Sequence, residues 1–252
     1  MTRAKNFTLI ELLCVVAVIA ILASLLLPGI ANAKRISMQA NCIANLRSIS
    51  TWAMLYTHDN DDLGPQASGA RTSSESNGYI SWDDQLSLYD NRNLSVAQVD
   101  APGLPSSYKE AKVYACPLDK STFAADAGFA KRTYAINLQI SGWWWNRVWR
   151  QPSGPVSPES VASPSATTWF SERIRSLWGD RCNALGYAEG SEYRQGEGPA
   201  SINMWYGPEY TGGTLTNQIG YHPKKHTLPW VFIDGHAEIL PRTFQNDNFS
   251  AR

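Results

Sequence analysis

The chain has 252 residues, enough for one good-sized domain or two small ones with a real hydrophobic core. Lys+Arg and Asp+Glu balance at 22 each, so no basic surface for nucleic acid is advertised, and charged residues make up only 17%. Gly, Pro, Ser and Asn are common and there are 10 Trp, a composition that points to a loop-rich, strand-bearing domain outside the cytosol.

The first predicted element is an apolar helix. From Phe7 to Ile30 the only clearly polar side chains are Thr8, Glu11 and Ser24. As a helix this stretch rises about 36 Å, against a hydrocarbon core of about 30 Å. Arg3 and Lys5 precede it and Lys34 and Arg35 follow it, so flanking charge does not set its orientation. Three readings compete. A secretory signal cut after Ala33 fits the small-x-small site "ANA". However, an apolar signal region runs to about 7–15 residues and has no carboxylate. A plain signal anchor is the second reading. The third gives Glu11 a purpose, because a carboxylate in lipid costs on the order of a few kcal/mol unless it is paired. No basic residue within the segment reaches Glu11. A new α-amino group would, if the chain were cut before Phe7, either in the same chain or from a neighbour in a packed array.

"NFTLIELLCVVAVIAILASLLLPGI" resembles the class III leader of type IV pilins and type II secretion pseudopilins. The resemblance implies a leader at 1–6, removed by a prepilin peptidase, which is a membrane aspartyl protease. It implies N-methylation of the new terminus Phe7, and pairing of Glu11 with a neighbouring subunit's amine during assembly. Pro28 falls where pilins often carry a helix-kinking proline. Asn6 departs from the pattern, since the family usually has Gly before the cut.

Past Pro28 the helix is expected to continue. Cys42, Leu46, Ile49, Ala53 and Tyr56 recur at helical spacing and form one stripe. That gives one helix of about fifty residues: a membrane half at 7–30, an amphipathic half at 31–57, and a globular domain at 58–252. The resemblance implies the pilin architecture, an α+β fold in which the long helix packs on an antiparallel sheet with large loop insertions.

"HDNDDLGPQ" ends the helix, because acids disfavour a helix C-terminus and Gly64-Pro65 breaks it. Asp59, Asp61 and Asp62 are candidate oxygen ligands for calcium. Leu63 stands where an EF-hand needs another Asp or Asn, and a solvated turn explains the cluster as well. Residues 66–80 read as a polar loop. "SWDDQLSLYD" returns to helix, with Ser81 as cap and Trp82, Leu86 and Tyr89 on one face. Short strands are predicted at Val113 to Cys116, Arg132 to Ile136 and Thr167 to Ser171. Residues 150–165, rich in Pro and Ser, read as a surface excursion. "SGWWWNRVWR" places Trp143, Trp144, Trp145 and Trp149 together, either as core or as a surface for subunits or sugar rings.

The last element is clear. "WVFIDGHAEIL" holds two β-rich runs joined by Asp234-Gly235, which predicts a two-residue type I′ hairpin with His236 opening the return strand. A metal site from His222, His226, Asp234 and His236 competes with that turn, but Pro223 and Pro229 argue against a helix that would order the first two. Of the four cysteines, Cys14 lies in the apolar run. Cys42 and Cys116 are a candidate disulfide joining helix to sheet, with Cys182 a rival partner.

"NCIANLRSISTWAMLYTHDNDD", "YACPLDK" and "FIDGHAEIL" resemble, in that order, large pilin-like proteins of planctomycete- and verrucomicrobia-type bacteria that end in a His…Asp-Gly-His hairpin. Here His222 and His226 are displaced from that family's spacing. No nucleophile elbow, P-loop, H-E-x-x-H or dinucleotide fingerprint is present, so no enzyme is expected. The reading that results is a structural subunit without a cofactor. Its expected partners are other pilin-like subunits, the peptidase/N-methyltransferase, the assembly machinery and the bacterial inner membrane, with the domain in the periplasm. The alternatives are a membrane-anchored binding module that never polymerises, and a secreted enzyme beginning at Lys34.

Overall fold

In the computed structural model the described residues are 8–70, 79–99, 101, 103–108, 112–119, 128–141, 155–172, 192–193 and 227–241. Helix α1 spans Leu9–Asp59, 51 residues in one piece and about 75 Å long. It runs through Pro28. The proline removes one ladder hydrogen bond, the one owed to the Ser24 carbonyl, from a helix with many. From Leu9 through Ser37 every residue is exposed. Beyond that the apolar stripe turns inward, and Cys42, Leu46, Ile49 and Ala53 are completely buried. Burying Leu46 and Ile49 contributes about 1.5–3 kcal/mol each. The change from exposed to buried falls within one unbroken helix, whose first part stands clear of the domain and whose second part packs against it.

The helix stops where its sequence predicts. Asn60 donates its backbone N–H to the Thr57 carbonyl and its side-chain amide to the Tyr56 carbonyl at 2.7 Å. Asp61 and Asp62 then take left-handed backbone angles, φ 52° and 59°. Asp tolerates that region because its short polar side chain can bond locally.

Three expectations are corrected in the segments that follow. The loop at 66–80 contains an antiparallel pair, β1 (Ser68–Ala70) and β2 (Tyr79–Ser81). Three-residue strands are too short to show an alternating pattern. The helix expected through Tyr89 is a single turn, α2 (Trp82–Gln85), followed by tight turns with Asn91 and Asn93 at positive φ. The acids Asp83 and Asp84 drive this, because they turn into the core and not to solvent. The strand expected at Val113 to Cys116 is a 3-10 turn over Lys112–Tyr114. Its backbone is committed elsewhere: Thr133 N–H donates to the Tyr114 carbonyl at 2.8 Å, and Cys116 N–H donates to Thr133 Oγ1 at 3.1 Å.

Among the described residues the main sheet has five strands: β3 (Tyr134–Asn137), β4 (Thr168–Glu172), β5 (Glu192–Tyr193), β6 (Thr227–Phe232) and β7 (Ala237–Pro241). Their order is β5-β3-β4-β6-β7. Four strands are antiparallel, and the two-residue β5 joins β3 in parallel, a departure from an all-antiparallel sheet. β6 reads as a nearly continuous apolar run because both its faces are buried. Val231, with Ile233 just beyond the strand, joins the core against α1, while Leu228, Trp230 and Phe232 form a second cluster with Ala135 on the other face. A register shift between Thr168 and Phe170 lets the consecutive Trp169 and Phe170 both enter the helix-side core. The fold is α+β and pilin-like, a long helix whose second half packs on the sheet.

Candidate functional site

The exposed half of α1 is the largest unburied apolar surface among the described residues. Its most apolar 18-residue window has mean hydropathy 2.9 and is 0% buried in the domain. At its tip, Thr8 and Glu11 form a capping box. Glu11 N–H donates to Thr8 Oγ1 at 3.3 Å, while the Thr8 backbone N–H and hydroxyl donate to Glu11 Oε2 at 2.9 and 2.8 Å. The Glu11 carboxylate is thus held by its own helix start. This satisfies two orphan donors of the first turn and one oxygen of the acid. Cleavage before Phe7 would keep all three bonds, since each lies within residues 8–11. Asn6 and Phe7, where processing is expected, lie outside the described residues.

The domain is fastened to α1 covalently. Cys42 is disulfide-bonded to Cys116, 74 positions later. Beside the bridge, Tyr134 O–H donates to the Cys42 carbonyl at 3.4 Å, and Asn45 Nδ2 donates to the Ala115 carbonyl at 3.4 Å. The rival partner Cys182 lies outside the described residues, and Cys14 is a free, exposed thiol. Replacing Cys42 and Cys116 together by Ser is expected to cost about 4 kcal/mol, from the loop entropy returned to the unfolded chain. Thermal melts of the detergent-solubilised chain check this, and an unchanged midpoint would contradict it.

The acidic turn at the far end of α1 is open. Asp59, Asp61 and Asp62 are exposed, and Asp59 Oδ2 accepts the Tyr89 hydroxyl at 3.0 Å. Among the described residues no group of three His, Cys, Asp or Glu is arranged to hold a metal ion.

The C-terminal hairpin corrects the predicted turn. Only Gly235 has positive φ, at 85°, whereas a type I′ turn needs two such residues. Gly235 N–H donates to the Phe232 carbonyl and Phe232 N–H to the His236 carbonyl, both at 2.9 Å. The loop is therefore Ile233-Asp234-Gly235, a type I turn closed by a left-handed glycine. Asp234 is better used outside the left-handed region, where its Oδ1 accepts from His236 N–H at 3.1 Å and meets His236 Nδ1 at 2.5 Å. The His236 ring stacks on Phe232 at 4.1 Å. A Cβ at Gly235 would lie 3.0 Å from Met54 Cε, so the glycine also lets the turn approach α1. His222, His226, Trp143, Trp144, Trp145 and Trp149 lie outside the described residues.

A buried polar cluster was not foreseen. Asp83 is fully buried between Arg132 and Arg92, ion-paired to Arg132 Nη1 and 3.5 Å from Arg92 Nη1. Arg92 also binds Asp90 at 2.6 Å and donates to the Asp83 carbonyl. The Tyr114 hydroxyl donates to Asp90 at 2.5 Å. Burial pushes that phenol well above its usual pKa, which keeps it a donor. The guanidinium of Arg92 lies 4.5 Å from the Tyr114 ring centre. The cluster locks the turns after β2 to the chain entering β3. Its one sequence signal is "SWDD", a Ser-x-x-Asp capping box read outward as a helix start instead of inward as an ion-pair partner.

Asp84 belongs to this cluster but is poorly served. One oxygen accepts the Ser81 N–H at 3.1 Å, and Oδ1 has no hydrogen-bond partner among the described residues. Burial first, then the Asp83 charge, push its pKa well above the ordinary carboxylate range, against the pull of Arg92 and Arg132. A raised folded pKa means the folded state binds the proton more tightly than the unfolded chain. That stability is fully present below the unfolded value of about 3.9 and is lost as pH rises through the folded value. Asp84→Asn cannot ionise and should remove the slope. The variant is expected to gain about 1–3 kcal/mol over the parent on the alkaline side, the scale of an unmet buried polar group, and little at acid pH. Parallel melts from pH 4 to 9 check the divergence; parallel curves would contradict it.

Comparison with known proteins finds likenesses over part of the chain. The prokaryotic N-terminal methylation motif matches residues 1–27. The type IV wide pilus major component PilA4 of Thermus thermophilus is 41% identical over 61 residues, 24% of this chain and 47% of that protein. The chain thus spans about half the length of this curated relative. No solved structure matches the chain. A methylation motif heads an exposed apolar helix that continues as the spine of an α+β domain, so the chain is pilin-like in architecture and similar to a type IV pilin over 61 residues.

Proposed function

We propose that the chain is a structural subunit of a type IV pilus or type II secretion-type filament. It is made as a precursor, cut before Phe7, methylated there, and held in the inner membrane by the first half of α1 with its domain in the periplasm. Its work is assembly and not catalysis: the apolar half of the helix leaves lipid and packs among the helices of other subunits. The observation that supports this most is the division of α1. Its first half is exposed and apolar, its second half is buried against a disulfide-tied domain, and nothing interrupts the helix between them. Such a helix can leave the membrane without disturbing the domain that rides on it.

The test is the N-terminal sequence and intact mass of the native, membrane-extracted protein. A chain beginning at methylated Phe7 is the expected result. A chain beginning at Lys34 would return the domain to the secreted binding proteins and enzymes. A correctly processed chain that never enters a sheared filament fraction would instead make it an anchored binding module.

A further inference from the structure

We propose that subunits stack with an axial offset of about 36 Å, set by charges spaced evenly along α1. The inference rests on the filament reading and adds the register to it. Three of the exposed charges on α1 are Glu11 near its start, Arg35 past the apolar run and Asp59 at its last residue. Arg35 lies 24 residues after Glu11 and 24 residues before Asp59. All three ride on one unbroken helix, so each interval is fixed at about 36 Å. A second copy displaced by that interval brings its Glu11 level with Arg35 of the first, and its Arg35 level with Asp59.

These charges have little to hold them within the chain. Among the described residues neither Lys34 nor Arg35 has an ion-pair or hydrogen-bond partner. Among the described residues Asp59 accepts a hydrogen bond from Tyr89, and Glu11 accepts from Thr8. Asp61 and Asp62 add negative charge beside Asp59, and Lys34 adds positive charge beside Arg35. Guanidinium has five donors, so one Arg35 can bind a carboxylate from a copy above and another from a copy below. Positions 24 apart are turned by about 240° around the helix axis at 3.6 residues per turn. The three groups therefore point in directions about 120° apart and reach different neighbours. The pattern suits a packed array, not an isolated dimer. Copies at equal depth in a bilayer have Glu11 beside Glu11, so the pairing appears only once subunits are displaced along the axis.

The test joins Arg35→Cys and Asp59→Cys in one full-length chain carrying Cys14→Ser and Cys182→Ser, so that the only other cysteines are the bridged Cys42 and Cys116. Within one chain the two positions are about 36 Å apart, so any disulfide between them is intermolecular. Mild oxidation of sheared filaments should give a ladder of multimers on non-reducing gels, absent from either single-cysteine chain and from membranes of unassembled subunits. If that variant assembles poorly, the charge exchange carries the same test. Arg35→Glu should cut filament incorporation at least tenfold, and adding Asp59→Arg should restore at least a third of it. Filaments with no ladder, or no restoration by the exchange, would overturn the register and leave the filament reading intact. Absence of any filament from the unaltered protein would overturn both.

Discussion

Asp83→Ala is expected to destabilise the domain by about 3–5 kcal/mol, the cost of leaving a buried charge without its partner. At roughly 2–4 °C per kcal/mol for a domain of this size, the melting midpoint should fall by roughly 6–20 °C. The reason is that one carboxylate serves two cations. Arg132 and Arg92 both have side chains about 1% exposed, and neither can shed its proton. Without Asp83, Arg92 keeps Asp90 at 2.6 Å, but Arg132 loses the Asp83 carboxylate in the core. Asp83→Asn keeps the size and an acceptor for Ser81 and loses only the charge, so a smaller loss is expected. Changing Arg132 to Met together with Asp83→Ala should recover part of the stability, because the buried positive charge goes too. Thermal unfolding of the four chains checks the order; equal midpoints would show that the cluster contributes nothing net.

What the sequence showed and what it hid follow from the range of the interactions involved. Helix α1 was legible because its signal is local and repeated: an apolar run, then Cys42, Leu46, Ile49 and Ala53 at helical spacing. The hairpin was legible because Asp234-Gly235 can hardly be anything but a turn. Its type was not, since choosing between two and three loop residues depends on how Gly235 meets Met54 of a distant helix. β3 and β4 were placed within a residue or two from short β-rich runs. Their bulge at Trp169 was hidden because it arises from pairing with β6. The polar cluster was the largest omission. Asp83 and Arg132 are 49 positions apart, and Asp83-Asp84 beside a capping serine looks like an ordinary solvated helix start. The 3-10 turn at Tyr114 is hidden for the same reason: its hydroxyl is committed to Asp90 and its carbonyl to Thr133, and neither contact leaves a periodic trace.

Glu11→Ala is expected to leave membrane insertion and processing unchanged and to reduce filament incorporation by at least about tenfold, equivalent to about 1.4 kcal/mol per subunit. Insertion depends on the apolar length of the segment, and removing a carboxylate only makes it more apolar. Assembly is different, because a carboxylate in lipid is costly until it gains a cationic partner, whether a neighbour's amine or its Arg35. The structure adds a complication that needs its own control. Glu11 also closes the capping box, so its loss weakens the helix start as well as any bond between subunits. Thr8→Val separates the two roles. It removes the hydroxyl that gives to Oε2 and takes from the Glu11 N–H, at a cost of about 1 kcal/mol to the cap, but keeps the charge. If Glu11 acts between subunits, filaments of Thr8→Val should form nearly as well as those of the parent while Glu11→Ala fails. Equal defects in the two chains would make Glu11 a helix cap and nothing more. Unimpaired filaments from Glu11→Ala would remove it from assembly altogether.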